Sequence, residues 1–334
     1  SLVMLTADGV IGARDPNGVR PLVLGKLDDA WILASETCGL DIIGAEFVRD
    51  VEPGEIVFIG AEGTLGVITA AVMKLVPRPR AYATATLSAR SLPDALILLN
   101  RLQAASGGAV EAFEYMPASY MAQMARARPD IRQPFSPAAE VTILVELGSL
   151  RPDDTTPKAD GSLPLTGLLE TTLAQMMAEG MVQDAEIAQT EVQRAAMWQR
   201  RELASEVMTS RQPTIDTDIC LPTDLVAPFL DRISTRLPQL DAGAETILVA
   251  HLGDGNVHFT VYPSDPSAAH ADRIIEAVED EVQALGGSFS AEHGVGLSKL
   301  ASMKRRKDPV ALDVMRAIKA ALDPDNRMNP GKVI

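Results

Sequence analysis

From residue 81 onward, strand and helix patterns follow one another without the strict alternation that a parallel doubly wound sheet requires. Strand-like segments such as "EVTILVELGS", "ETILVAHLG" and "NVHFTVYP" are interspersed with helical segments such as "SLPDALILLNRLQAA" and "PSAAHADRIIEAVEDEVQAL". Hydrophobic residues make up 46% of the 334 residues, enough for a sizeable aliphatic core. The pattern predicts an α+β fold, in which helices pack on an antiparallel sheet.

The composition argues against two classes of function. A formal net charge of -15 leaves no basic stripe for the phosphates of a nucleic acid, and no apolar run approaches the roughly 20 residues of a transmembrane segment. The two cysteines, Cys38 and Cys220, are far apart and lack metal-ligand spacing. We therefore expect a reduced, cytoplasmic protein without nucleic acid or a membrane span as partner.

Two of the four histidines lie close together in "HLGDGNVHFTVYP", residues 251–263. If "GDGN" is a four-residue hairpin loop, His251 pairs with His258 and both rings lie on one face of adjacent strands. Cross-strand partners have Cβ atoms about 4.5 to 5.5 Å apart, so both imidazoles would reach one divalent ion. The alternative is a pair of half-buried histidines that flank a tight turn.

A second segment, "SAEHGVG" at 290–296, adds Glu292 and His293. Two histidines and one carboxylate match the donor set of a Zn or Mn site with an open position, and His293 beside the metal would serve as a general base. Spacing alone does not establish that the two segments converge. His270, in the polar helical stretch "SAAHADR", is predicted to lie on the surface.

Three further motifs are weak when taken alone. "AEGTLG" at 61–66 is a tight turn as readily as a cofactor contact, and "NPGKV" at 329–333 is a commonplace turn followed by a lysine. "WQRRELASE" carries Arg200 and Arg201 on a helix. Solvent exposure is the simple expectation for both, although one arginine that faces a metal site would bind a carboxylate substrate.

Taken together, "EGTLGVIT", "EAFEYM", "HLGDGNVHF", "SAEHGVG" and "LDPDNRMNPGKVI" resemble the FAD-linked oxidases of the vanillyl-alcohol oxidase type. The resemblance is to their D-lactate, glycolate and D-2-hydroxyglutarate dehydrogenase branch, from about residue 58 onward. It implies that a preceding domain holds most of the FAD. The expected parts of this chain are the end of a flavin-binding domain (60–80), the cap domain (81–310), and a C-terminal helix and tail near the flavin (311–334).

The resemblance also implies roles for individual residues. His251, His258 and Glu292 correspond to metal ligands, and His293 to the base that takes the substrate's hydroxyl proton. Arg201 corresponds to a carboxylate-binding arginine, with Ser205 one helical turn later. The predicted cofactor contacts lie in the "AEGTLG" and "NPGKV" motifs: Glu62, Gly63, Thr64, Gly66, Asn329 and Lys332.

Two positions depart from the pattern of the branch. Asp216 stands where a Lys often precedes the Asp of "TDICLP" by two residues, and Thr260 stands where an Asn often follows "VHF". These departures leave the identity of the 2-hydroxy acid open.

Residues 1–59 follow a different pattern, with short strands and turns at Asp8-Gly9, Asn17-Gly18 and Asp28-Asp29. They resemble an internal fragment of the glutaminase domain of amidophosphoribosyltransferase, and Cys38 in "SETC" is not its N-terminal nucleophile. We therefore expect a hybrid chain, headed by a strand-rich fragment and joined between Glu55 and Gly60.

The resemblance implies a function in which a small D-2-hydroxy acid is oxidised by hydride transfer to flavin. Because the chain lacks most of a flavin domain, we expect little FAD binding and no turnover by the chain alone. The expected protein partner is a flavin-domain protein or a second copy of the chain. One alternative is a non-catalytic metal-binding α+β module that associates with a flavin subunit. Another is a protein related to amidophosphoribosyltransferase, which the missing nucleophile disfavours.

Overall fold

The computed structural model describes residues 2–6, 9–13, 22–27, 30–34, 46–50, 56–59, 62–66, 76–159 and 161–334. The chain divides into two compact units. The first combines Ser1–Val76 with Glu292–Ile334, and the second is Pro77–Ala291. Residues 292–310, which the sequence assigned to the cap, thus belong to the first unit.

The first unit contains two three-stranded antiparallel sheets, with strand orders β1-β2-β6 and β4-β3-β5. The strands confirm the short strands expected from the sequence. Asp8, Asn17-Gly18, Asp28-Asp29 and Cys38 lie outside the described residues, whereas Gly9 begins β2 and residues 56–59 of the expected join form β6. Helices Leu300–Arg306 and Pro309–Leu322 follow in its C-terminal segment. The strands are β1 Leu2–Thr6, β2 Gly9–Ala13, β3 Val23–Leu27, β4 Ala30–Ala34, β5 Glu46–Asp50 and β6 Ile56–Ile59.

The second unit is built on one seven-stranded sheet with the order β10-β7-β9-β8-β12-β13-β11. Every neighbouring pair is antiparallel, which confirms the predicted α+β class. The strands are β7 Ala81–Ala89, β8 Val110–Pro117, β9 Val141–Ser149, β10 Val182–Ile187, β11 Ile215–Cys220, β12 Glu245–His251 and β13 Asn256–Tyr262.

One face of this sheet is apolar and forms the main core. Side chains such as Ala85, Val145, Phe113 and Val257 alternate toward it along their strands, in keeping with the two-residue period of a β-strand. Four amphipathic helices supply the other half of the core: Leu92–Ser106, Pro164–Ala178, Val226–Leu240 and Ala268–Ala284.

Local sequence explains where the first of these helices starts and ends. The side chain of Ser91 accepts a hydrogen bond from the backbone N–H of Asp94, and Pro93 occupies the first turn, where its missing N–H costs nothing. Gly107 ends the helix in a left-handed conformation with φ of 67°. These are the signals on which a prediction of the helix from sequence depends.

The opposite face of the sheet is mixed. Helices Ala118–Ala127, Glu191–Glu202 and Ala204–Met208 cover its apolar centre, where Leu144, Ile247 and Val249 are buried. Short segments Pro152–Thr155 and Thr223–Leu225 complete the helical structure of the unit. Charged side chains occupy the rest of this mixed face.

The hairpin between β12 and β13 has a different register from the predicted one. His251 pairs with Asn256, and His258 pairs with Val249, so the loop is residues 252–255. Leu252 belongs to the loop and is fully buried, which draws the turn toward the core. Because the register differs by two residues from a direct pairing, both histidines still project from the same face.

The segment "GGSFSAEHG", residues 286–294, forms an isolated bridge between Cys220 and Ser288, with backbone hydrogen bonds of 3.0 and 2.8 Å. One other prediction from the sequence was wrong. His270 is 4% exposed rather than on the surface. Its Nε2 lies 2.9 Å from a carboxylate oxygen of Asp241, and its Nδ1 lies 2.9 Å from Arg273.

Replacing Gly255 by Ala tests the tight approach of the hairpin loop to the end of β11. Gly255 has φ of 80°, and an added Cβ would overlap the carbonyl oxygen of Leu221. The left-handed backbone alone costs about 1 to 2 kcal/mol, so we expect Gly255→Ala to lower the free energy of unfolding by more than ~2 kcal/mol in urea denaturation.

Gly286→Ala is the matched control, because Gly286 has φ of 73° but nothing within 4 Å of the added Cβ. Equal losses for the two variants would show that the close approach to Leu221 does not exist in solution.

Candidate functional site

The two histidines of the hairpin lie side by side on the mixed face of the large sheet. Their ring centroids are 5.5 Å apart, and the ring planes meet at 78°. His251 ends β12 and His258 lies on β13, as diagonal neighbours. The expectation that both rings share one face is therefore confirmed, although by diagonal rather than direct pairing.

Glu114 and Arg201 meet His251 on its other side. Glu114 lies opposite His251 across the β8–β12 pair, and its carboxylate accepts a hydrogen bond of 2.8 Å from Nε of Arg201. Nδ1 of His251 lies 2.9 Å from Oε1 of Glu114. The side chains of Glu114 and Arg201 are only 7% and 11% exposed, so this ion pair is shielded from water.

These contacts favour one tautomer of His251. A carboxylate only accepts hydrogen bonds, so Nδ1 of His251 carries the proton that faces Glu114. Nη2 of Arg201 is a donor 3.2 Å from Nε2 of His251, which requires a lone pair on Nε2. We assign the neutral Nδ1–H tautomer, in which a carboxylate orients an imidazole. Its Nε2 lone pair accepts from Arg201 and would bind a metal ion once that hydrogen bond is released.

Asp218 lies on the far side of the pair. It is opposite His258 across β11 and β13, and its Oδ1 is 3.5 Å from Nδ1 of His258. Asp218 is 4% exposed, and its backbone carbonyl accepts a hydrogen bond of 3.2 Å from the N–H of Ala291. Asp218 is thus a third potential metal ligand, with an oxygen atom buried beside the two imidazoles.

Both arginines of "WQRRE" turn inward, in contrast to the simple expectation of solvent exposure. Arg200 is 3% exposed, donates to the hydroxyl of Thr86, and contacts Glu186 at 3.7 Å. Burial lowers the pKa of Arg200 from its usual value. The helix that carries both, Glu191–Glu202, is preceded by the N-cap residue Thr190, whose capping box with Gln193 fixes the first turn.

Ser205 does not continue the helix of Arg201. The helix ends at Glu202, Leu203 has ψ of 0°, and a separate short helix, Ala204–Met208, begins afterwards. The side chain of Ser205 is exposed, so the assumed one-turn spacing from Arg201 does not hold. Its role as a catalytic residue stays a prediction.

Glu292 and His293 open the C-terminal segment of the first unit, where a loop is organised by Glu62. The carboxylate of Glu62 accepts hydrogen bonds of 2.5 and 2.8 Å from the backbone N–H groups of Val295 and Gly296. Gly294 leaves room for that carboxylate, since a Cβ there would come within 2.5 Å of it. The predicted metal ligand and base thus belong to a locally fixed loop.

The structure also shows site residues that the sequence reading did not name, Glu114 and Asp218. Each is a charged residue on a strand whose alternate side chains are buried and apolar, which is the signal that marks them. Their partners come from distant segments, so the signal alone does not identify them as neighbours of the histidines.

The donor chemistry of the second unit fits a divalent metal ion. Nitrogen atoms of His251 and His258 lie within 4.8 Å of each other, as do ligand atoms of His258 and Asp218. Two imidazoles and a carboxylate oxygen suit Zn or Mn. Glu114 would act as the outer carboxylate that orients His251.

The comparison with protein families covers the part of the chain that carries the two histidines. The model of the FAD linked oxidases, C-terminal domain, matches residues 78–333. The chain belongs to this family. The match includes His251, His258 and the strands that carry them.

Individual relatives agree with this assignment. The chain is 29% identical over 283 residues to the D-2-hydroxyglutarate dehydrogenase of Stutzerimonas stutzeri, an alignment that covers 83% of this chain and 57% of that protein. It is 27% identical to the glycolate oxidase subunit GlcD of Bacillus subtilis, with 100% of this chain and 69% of that subunit covered. The chain spans about half the length of the D-2-hydroxyglutarate dehydrogenases that it matches.

The fold agrees with that of a solved p-cresol methylhydroxylase with substrate bound. The TM-score is 0.53 at 11% sequence identity, and the alignment covers 96% of this chain and 66% of that one. The likeness concerns the fold alone. The predicted membership of the FAD-linked oxidases is confirmed by the family match over residues 78–333.

The comparisons give no support to the resemblance between residues 1–59 and amidophosphoribosyltransferase. The alignment to the glycolate oxidase subunit covers the whole chain, including those residues. The expected hybrid join therefore has no finding behind it. Among the described residues, none of the helices is both long and apolar enough to cross a membrane.

The family implies FAD, and the contacts with it that the sequence predicts lie in the first unit. Backbone space is open beside Gly66 and Gly331, where an added Cβ would meet nothing within 4 Å. The side-chain amide of Asn329 donates to the carbonyl of Glu62, while Thr64 is 1% exposed. Glu62, Thr64 and Asn329 thus shape the loop; contacts from these residues, Gly63, Gly66 and Lys332 to a cofactor stay predictions.

Replacing Glu114 by Gln tests the buried ion pair. The substitution leaves the guanidinium of Arg201 shielded from water without a countercharge, so we expect the free energy of unfolding to fall by about 3 kcal/mol in urea denaturation. The double variant Glu114→Gln/Arg201→Met should recover much of this loss. Glu111→Gln, at an exposed position on the same strand, should change stability by less than about 0.5 kcal/mol. A similar small effect at Glu114 would contradict the ion pair.

Proposed function

We propose that this chain is the substrate- and metal-binding part of an FAD-dependent dehydrogenase that oxidises a small D-2-hydroxy acid. The observation that carries the proposal is the paired imidazoles of His251 and His258 beside the buried guanidinium of Arg201. That arrangement offers one subsite for a metal-bound hydroxyl and an adjacent one for a carboxylate, which are the two groups of a 2-hydroxy acid. The names of the relatives are consistent with it.

Each residue has a distinct role in the proposed reaction. The imidazoles of His251 and His258, with a carboxylate oxygen of Asp218, would hold the ion. Glu292 stays a further ligand predicted from the family resemblance. Arg201 is fixed by Glu114 through Nε, so its outer nitrogens would donate to the substrate carboxylate. The family resemblance assigns His293 as the general base that would accept the hydroxyl proton at a ring nitrogen.

The bound groups would supply what the side chains lack. A divalent ion would lower the pKa of the substrate hydroxyl, and FAD would accept the hydride from the α-carbon. Arg201 and the histidines orient the hydroxy acid, which is the contribution of this chain to the rate.

Metal content and ligand binding of the purified chain test this proposal. We expect close to one Zn or Mn per chain by mass spectrometry, and binding of D-lactate by calorimetry that a chelator abolishes. His258→Ala should lose both, because one imidazole and Asp218 do not form a complete site. His270→Gln is the control, since His270 is held by Asp241 on another part of the unit and should retain the metal.

Metal binding that is unchanged in His258→Ala would contradict the assigned ligands. D-lactate binding that persists without metal would contradict the proposed hydroxyl subsite. Circular dichroism of each variant excludes unfolding as the cause of a loss.

A further inference from the structure

A carboxylate lies next to the candidate site, at the end away from Arg201. Asp216 precedes Asp218 by two residues on β11, so both side chains project from the mixed face of the sheet. Asp216 pairs with Thr260 on β13, and the hydroxyl of Thr260 donates to its Oδ1 at 2.6 Å. Asp216 is exposed, whereas Thr260 is 1% exposed. The buried hydroxyl of Thr260 thus holds a carboxylate that faces solvent.

The order of strands gives the site a direction. Glu114 and Arg201 lie on the β8 side, His251 and His258 follow on β12 and β13, and Asp216 lies on β11. Thr260 is two residues beyond His258, or about 7 Å along the strand. A hydroxy acid whose carboxylate is at Arg201 and whose hydroxyl is at the histidines would extend toward the Asp216–Thr260 pair.

The charges between Arg201 and Asp216 favour a substrate with one carboxylate. Arg201 supplies the cation at the first end. At the other end Arg211, which like Asp216 interacts electrostatically with Tyr262, stacks at 4.3 Å on the ring of Tyr262 and forms two hydrogen bonds of 2.8 and 2.9 Å to Glu245. Arg211 is therefore already neutralised, and the charge of Asp216 remains. A second carboxylate there would meet a like charge.

We propose that Asp216, held by Thr260, restricts this site to D-2-hydroxy acids with a single carboxylate. The proposal rests on the proposed function and specifies its substrate class. Short monocarboxylic acids such as lactate or 2-hydroxybutyrate bring only an apolar end toward the Asp216–Thr260 pair. Dicarboxylic acids such as 2-hydroxyglutarate place a negative end against Asp216. Asp216 thus acts as a specificity determinant by repulsion rather than by a new attraction.

Calorimetry on the full chain loaded with Zn or Mn tests the proposal without turnover. We expect D-lactate to bind at least about tenfold more tightly than D-2-hydroxyglutarate. Asp216→Lys should reverse this preference in favour of D-2-hydroxyglutarate, because it replaces a like charge with an opposite one. D-lactate binding should change less than about threefold. Asp216→Asn, which keeps the shape of the side chain, should lie between the wild type and Asp216→Lys.

Asp231→Lys is the matched control, because Asp231 is exposed on the helix Val226–Leu240, which packs on the opposite face of the sheet. It makes the same change in net charge and should leave the preference as in the wild type. Equal binding of the two acids by the wild type, or an equal shift in Asp231→Lys and Asp216→Lys, would overturn the inference while leaving the proposed function intact. Binding of neither acid would overturn both.

Discussion

The buried carboxylate of Glu114 fixes the geometry of the candidate site. It accepts hydrogen bonds from Arg201 and from Nδ1 of His251, two groups that come from a helix and from a neighbouring strand. Since the ion pair is shielded from water, neither side chain turns outward without leaving the other charge buried. The antiparallel register of β8 and β12 places Glu114 opposite His251, so the position of the imidazole follows from backbone pairing.

The same interaction type fastens a whole helix to the sheet. Three arginines of the helix Glu191–Glu202 reach three strand glutamates: Arg194 to Glu146, Arg200 to Glu186 and Arg201 to Glu114. Glu146 shows how such a carboxylate stays ionised, because burial alone raises its pKa but hydrogen bonds from Arg194, Thr84 and Trp198 outweigh that effect and lower it. Arg201 is therefore one of three arginines that hold this helix on the sheet by ion pairs, which explains how a surface helix supplies a rigid cation.

Sequence patterns were sufficient for the fold class and for the sharing of one face by His251 and His258. Period-two alternation and the signals at helix ends are local, and a two-residue error in the hairpin register leaves the face unchanged. The burial of His270 and the inward direction of Arg200 were not predictable from local sequence patterns, because both depend on acidic partners from other segments. The break at Leu203 was missed for the opposite reason: a continuous helical pattern hides a change of direction set by tertiary packing.

The protonation state of His251 tests the account most directly, since the metal-ligand assignment depends on it. Histidine ring nitrogen chemical shifts from long-range ¹H–¹⁵N correlation spectra of the metal-free chain distinguish the tautomers, and His251→Gln assigns the signal. We predict the Nδ1–H tautomer, with a shift to the other tautomer or to averaging in Glu114→Gln. An Nε2–H tautomer in the wild type would contradict the account, because the nitrogen that faces Arg201 would then carry a proton and Glu114 would not orient the ring.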